Sequence, residues 1–339
     1  MIDAIASPPP RRDAWNASRF RPGEAGGLYE SYFLRANHPE RPLAFWIRYT
    51  VFCPKGRPED AQGELWAIYF DGEAQRIAAV KDSLPVADCR FAQDRLDVRI
   101  GDATLTETAL LGRATSADHA VLWKLTFAGE APPLLLLPES MYAGGFPKAK
   151  ALVARPNAAF SGTLTVDGRE IAIDGWRGSQ NHNWGSRHTD RYAWGQVAGF
   201  DNAPEAFLEC STAQVRIGPL WSPRLTLLVL RDGDEEIALN SLPQAARAQG
   251  DYDFFRWTID SRSPRARLHG RIEAPASAFV GLNYLNPPGG AKTCLNSKLA
   301  AAEFTLERPG RPAKTFVTRS RAAFEILTDR SDHGVSIAA

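Results

Sequence analysis

Apolar and polar residues alternate with period 2 along nearly the whole chain, in short runs bounded by turn residues, while sustained i, i+3, i+4 patterning is almost absent. This predicts an all-β protein with few short helices. Phe45, Ile47, Tyr49 and Val51 alternate with Trp46, Arg48, Thr50 and Phe52; a second strand follows from Leu65 to Phe70, and Val121, Trp123, Leu125 and Phe127 stripe a third. Asp71-Gly72, Asp167-Gly168 and Asp232-Gly233 each stand between such runs, where a tight turn with φ > 0 joins antiparallel neighbours. Strands that pair mainly with their sequence neighbours close into barrels or fold into sandwiches, because a wide open sheet leaves reactive edges. Helical patterning is confined to Gln244–Gln249 and Ser297–Ala302.

The length, 339 residues, predicts roughly two domains. Prolines and glycines interrupt the pattern from Ala131 to Pro156, so the boundary is drawn near residue 155, giving units of 1–155 and 156–339. The 9 Trp, 17 Phe and 8 Tyr, beside 27 Gly and 24 Pro, strengthen the β reading, since aromatics favour strands and breakers favour turns. Lys and Arg (40) nearly balance Asp and Glu (39), and no basic block is present, which argues against a nucleic-acid partner. The longest aliphatic run, Leu134 to Leu137, is far short of the ~20 residues of a membrane span. Met1 to Arg12 lacks the apolar segment of a secretory signal, so a cytoplasmic location is the default. The cysteines at 53, 89, 210 and 294 form no C-x-x-C pair and are expected to be reduced and mostly in the core. Nothing in the sequence sets the oligomeric state.

Common cofactor and hydrolase signatures are missing. Gly289-Gly290-Ala291-Lys292-Thr293 lacks the spacing of a phosphate loop, and no Gly-x-Ser-x-Gly elbow occurs. The stretch from Asp174 to Gly185 is different in kind: it holds three side-chain amides (Gln180, Asn181, Asn183), the His182 imidazole and two indoles (Trp176, Trp184). Such groups are costly to bury unless bonded, and indoles are wasteful in water, so the stretch reads as a polar network beside an apolar cavity. On the next strand Tyr192, Trp194 and Gln196 share one face while Ala193, Gly195 and Val197 form a small-residue face against which another layer can pack. Further on, Ala206, Leu208 and Cys210 form an apolar face, and Glu205, Phe207, Glu209 and Ser211 share a face that is either solvated or part of the site. His182 is either a structural histidine bonded to a backbone carbonyl or an acid/base and substrate-orienting group. His182, His188 and Asp190 match no strong ligand spacing, so no metal is expected. Alternation alone leaves Glu209, Glu30, Asp174 and Asp201 all open as the pocket acid.

Gly175-Trp176, the tetrad His182-Asn183-Trp184-Gly185, the aromatic-Trp-Gln strand after it and Glu30-Ser31-Tyr32 resemble the lipocalin-like superfamily of carotenoid hydratases (hydroxyneurosporene synthases), tocopherol cyclases and related Diels–Alderases. The resemblance implies two lipocalin-like antiparallel β-barrel or sandwich domains packed together, the tetrad in the second, and an apolar pocket near their junction. It also implies protonation or cyclisation of polyenes and isoprenoids without a cofactor. An imidazole, an indole, a tyrosine and an aspartate are implicated in the hydratases; His182 and Trp184 match the first two. Phe207-x-Glu209 stands for the others, with the tyrosine hydroxyl missing and the acid arm longer.

The sequence thus points to a lyase or isomerase of the hydratase or cyclase type, acting on a hydrophobic unsaturated small molecule. His182, Trp184 and Glu209 are the expected catalytic residues, and Glu30, Gln180, Asn183, Tyr192, Trp194, Gln196 and Phe207 the expected substrate contacts. A carboxyl kept neutral in an apolar pocket can protonate an alkene, and aromatic faces can stabilise the resulting cation by roughly 0.5–2 kcal/mol each. The alternative is a lipid or pigment carrier whose pocket only binds. Both readings require His182 and Trp184 to border an apolar void.

Overall fold

A computed structural model describes residues 12–338. The N-terminal stretch read above for a secretory signal lies, but for Arg12, outside the described residues. The chain is nearly all β, as expected, and forms a nearly closed barrel sheet and a half-barrel sheet. The first, of 12 strands, runs from Leu28 to Gly185; the second, of 10 strands, begins at Arg191. Most strands pair with sequence neighbours, as the turn signals predict. At Asp167-Gly168 both residues have positive φ, and Gly233 (φ 60°) turns the Asp232↔Glu235 hairpin. The Asp71-Gly72 pair instead opens a longer loop that ends at Gln75.

Long-range pairings close each sheet: Leu28–Asn37 joins Arg169–Gly185 in the first, and Arg191–Phe200 joins Arg311–Thr328 in the second. The sheets change over at residues 186–190, so the boundary expected near 155 falls inside the Ala149–Val166 strand of the first sheet. The His-Asn-Trp-Gly tetrad therefore ends the first sheet and does not lie in the second. The Pro- and Gly-rich stretch from 131 to 147 is a loop within the first unit that crosses to the second: Leu134 and Leu136 pack on Phe207 and Val229.

Three apolar layers hold the molecule together. Tyr32, Ile47, Trp123 and Phe160 belong to the interior of the first barrel, and Leu208, Trp257, Phe304 and Phe324 to that of the second. The third layer lies between the sheets, where Phe33, Trp46, Trp66 and Phe70 meet Trp194, Leu282, Ala323 and Leu327. The Leu43–Cys53 strand is consequently buried on both faces, one in the barrel and one at the junction. The other notable departure is Ser297–Ala302, which is strand, not helix. It lies in Ala291–Arg308 with register shifts between Ser297 and Ala302, and the irregular pairing there breaks the period-2 signal. The other helical segment, expected at Gln244–Gln249, does form, at Leu242–Arg247, with a Ser241/Gln244 capping box. All four cysteines are unpaired; Cys53, Cys210 and Cys294 are buried. No helix among the described residues is long and apolar enough to cross a membrane.

Candidate functional site

A cavity of about 470 Å³ lies at the junction of the sheets, within the ~300–1,000 Å³ range of small-molecule sites. Phe33, Trp46, Tyr192, Trp194 and Tyr284 supply aromatic wall, and the 134–149 loop supplies Leu136, Leu137, Met141 and Phe146.

Which face of the tetrad strand meets this cavity is decided by a bulge. The register jumps between Phe160↔Trp176 and Gly162↔Ile173, and Gly175 takes φ 61° to accommodate the extra residue. Both Ile173 and Trp176 can then point into the first barrel. Beyond the bulge Asn181 and Asn183 line the cavity, whereas Gln180, His182 and Trp184 do not.

His182 is instead packed solid. Its ring stacks on Tyr32 at 4.3 Å between centroids, Nε2 faces Glu30 Oε1 at 2.9 Å, and Nδ1 faces the Trp15 carbonyl at 2.7 Å. Both ring nitrogens thus face an oxygen, and the ring is fixed in place between Glu30 and the 15–20 segment. Glu30 also accepts from Ser18 Oγ (2.7 Å) and from the backbone N–H groups of Arg19 (2.7 Å) and Phe20 (3.0 Å). Burial pushes the Glu30 carboxyl upward, but these bonds outweigh it and hold the group below the ordinary carboxylate range. Gln180 makes a reciprocal amide pair with Asn16 (3.1 Å each way), and Trp184 packs with Tyr142 under the Arg19 guanidinium. These residues form a clasp that binds the 15–20 segment to the barrel. The expectation that His182 and Trp184 border the void is thus corrected. The two rings occupy the opposite face of their strand, and Glu30 and Gln180 belong with them.

Around the cavity the second sheet follows the sequence reading more closely. Tyr192, Trp194 and Glu209 line it, while Gly195 faces the second core so closely that a Cβ would lie 2.3 Å from Ile272 Cδ1. Glu209 is buried; Oε1 accepts from the Trp194 indole at 2.7 Å and Oε2 from Gln196 Nε2 at 2.8 Å. Burial pushes its carboxyl up to about 7, with the nearby Glu325 charge adding to the rise and the two N–H donors and Arg35 opposing it. Gln196 does not line the cavity. It lies behind Glu209, where Nε2 also donates to Asn181 Oδ1 (2.8 Å) and Oε1 accepts from Ser179 Oγ (2.6 Å) and Arg35 Nε (2.7 Å). Phe207 is withdrawn under Leu134 and Leu136 and does not reach the cavity either.

Several lining residues carry no motif. Arg48, Glu325, Tyr29 and His188 all border the cavity. Glu325 accepts from Lys298 Nζ at 2.8 Å and Asn296 Nδ2 at 3.0 Å. His188 lies against Tyr29 at 3.8 Å between centroids and donates from Nε2 to the Leu285 carbonyl at 3.1 Å; burial pushes its imidazole down to about 3, so it is neutral. His188 and Asp190 are separated from His182 by the sheet, and no cluster among the described residues has the ligands for a metal. The signal available for Arg48 was a lone cation inside an apolar strand, Phe45-Trp46-Ile47-Arg48-Tyr49; Arg35 stands in a similar run, Tyr32-Phe33-Leu34-Arg35-Ala36.

No family model matches the chain. Over 297 residues it is 25% identical to two uncharacterized proteins of Mycobacterium tuberculosis, one from each of two strains, covering 85% of this chain and 83% of theirs. Among solved structures it is similar to a protein described as an AttH from Nitrosomonas europaea (TM-score 0.56, 13% identity, 89% of this chain and 92% of that one). Kievitone hydratase from Nectria haematococca (0.55, 13%, 91% and 91%) and CghA, solved with Sch210972 (0.54, 12%, 92% and 94%), are similar to the same degree. At these identities the likeness is one of fold: the chain shares a barrel-like architecture with these three proteins.

Proposed function

We propose that the chain is a lyase or isomerase of the hydratase or cyclase type, acting without a cofactor on a hydrophobic unsaturated molecule, such as an isoprenoid or polyene, held in the junction cavity. One observation carries the reading: the buried Glu209 carboxyl lines the cavity, held by the Trp194 indole and the Gln196 amide, and burial pushes it up to about 7. In this reading Glu209 delivers its proton to an alkene carbon. The faces of Trp194, Tyr192 and Trp46 stabilise the cation, and water or a second double bond of the guest captures it. The oxonium formed with water, or the new carbocation formed by ring closure, then loses a proton to Glu209, so the acid is regenerated; hydration consumes one water and cyclisation nothing beyond the substrate. Asn181 and Asn183 orient polar groups of the guest, and Gln196, held by Arg35 and Ser179, positions the carboxylate. His182 and Trp184, which the sequence reading required beside the void, touch no guest here and act only by keeping their strand in place; the reading rests on Glu209 in the junction cavity instead.

The test compares wild-type and Glu209→Gln protein purified in parallel and extracted into organic solvent. The compound retained by the variant should be changed in mass or absorption spectrum when given to the wild type. A wild-type protein that hands it back unaltered is a lipid or pigment carrier, and the enzymatic reading is then wrong.

A further inference from the structure

We infer that the guest carries an anionic oxygen at one end, a carboxylate or an ionised enol, and that Arg48 and Trp46 receive it. This inference deepens the proposed function and rests on it only for the presence of a guest. Arg48 lies on the junction face of the Leu43–Cys53 strand, borders the cavity and is 6% exposed. Its guanidinium has five N–H groups, yet it donates to a single protein acceptor, Ser31 Oγ at 2.6 Å; Nε is buried without a partner. It makes no ion pair among the described residues.

The other buried cations of the junction are compensated. Lys298 has the Glu325 carboxylate, and Arg35 spreads its donors over Gln196, Asn37 and the Arg321 carbonyl. Beyond the neutral Ser31 hydroxyl, Arg48 has aromatic faces alone, Tyr284 nearest at 4.5 Å from ring centroid to Cζ. A ring quadrupole attracts a cation but does not replace an anion, so a buried guanidinium in this setting is a site awaiting one. Two residues away on the same face, the Trp46 indole N–H is also buried without an acceptor, and Trp46 lines the same cavity. An oxyanion set between them would satisfy both.

The rest of the wall agrees in charge. Five basic side chains border the cavity against three acidic ones, and of those three Asp190 and Glu325 are already paired, with Arg187 and Lys298. Phe33 stands between Trp46 (6.2 Å) and Trp194 (5.9 Å), so an apolar body lying across it joins the anionic end to the Glu209 end. The resulting ligand class is an apolar, unsaturated acid whose reacting bond lies away from its head group.

The test is a fluorescence titration with cis-parinaric acid and with its methyl ester at pH 8. Wild-type protein should bind the acid at least ten-fold more tightly than the ester. Arg48→Gln should bring the acid down to the level of the ester, and Trp46→Phe, which removes the N–H together with the five-membered ring, should weaken the acid several-fold more than it weakens the ester. Ester binding reports that the cavity survives in each variant; if Arg48→Gln loses it, Trp46→Phe decides. Equal binding of acid and ester by the wild type, or a preference that persists in both variants, overturns this inference and leaves the guest-binding reading standing. If the wild type binds neither probe, this inference falls and the guest-binding reading falls with it.

Discussion

Glu209 and Gln196 stand directly opposite each other on paired strands, and the Gln196 amide nitrogen donates to the carboxylate at 2.8 Å. With the Trp194 indole on the other oxygen, the acid is held in one orientation while its remaining side faces the cavity. Such an arrangement fixes the position of a proton without neutralising the acid that carries it.

That buried acid has a consequence for stability. Below its unfolded value of 4.5 the carboxyl is neutral in both states; above about 7 the folded protein bears a buried charge that the unfolded chain carries in water. Folding is therefore weakened as pH rises from about 4.5 through about 7, by on the order of 3 kcal/mol in total. Glu209→Gln removes this dependence. Denaturant midpoints at pH 5 and pH 8 should differ less in the variant than in the wild type. An identical pH dependence in the two proteins would mean that Glu209 ionises in the fold as it does in water.

The His182–Glu30 clasp predicts a different phenotype. His182→Ala leaves a buried carboxylate without its ring partner and should cost about 3–5 kcal/mol. Loosening should be local, with faster hydrogen exchange at the amides of Arg19 and Phe20, which donate to Glu30. Ligand binding in the junction cavity should survive in the protein that remains folded. Unchanged exchange at those amides would remove the clasp from the account.

How far the site was legible in the sequence follows from strand parity. The alternation of Tyr192, Trp194 and Gln196 against Ala193, Gly195 and Val197 was readable because that strand is regular, and its large face does meet the junction. On the tetrad strand the bulge at Gly175 reverses parity, and which parity faces the junction is set by pairing with Leu28–Asn37, more than a hundred residues earlier. The residue types of the tetrad therefore suggested a site, while its geometry sends the imidazole and one indole elsewhere. Arg48 and Glu325 come from different sheets, far apart in sequence, and only the packing of the two sheets brings them to one cavity. The sheets change over at 186–190 and not near 155 for a related reason: breakers mark loops, and the 131–147 loop lies within the first sheet's run of strands.

Close approach between strands gives a further check. A Cβ on Gly178 would lie 1.7 Å from the Arg35 carbonyl oxygen and 2.7 Å from Ala36 Cα, so Gly178→Ala must separate the two strands that carry Arg35 and Ser179. A loss of about 3 kcal/mol or more is expected, against about 0.5 kcal/mol or less for Gly26→Ala, where a Cβ meets open space. Thermal unfolding of the two variants side by side decides it, and equal melting temperatures would mean the strands are more loosely paired here than described.

The central claim is that Glu209 gives a proton to carbon. It is tested most directly by mass spectrometry of the reaction in D₂O, with the compound recovered from Glu209→Gln protein supplied to the wild type. The account predicts a product bearing one deuterium that does not wash out in ordinary water. A product formed without deuterium, or recovery of the starting compound, would contradict it.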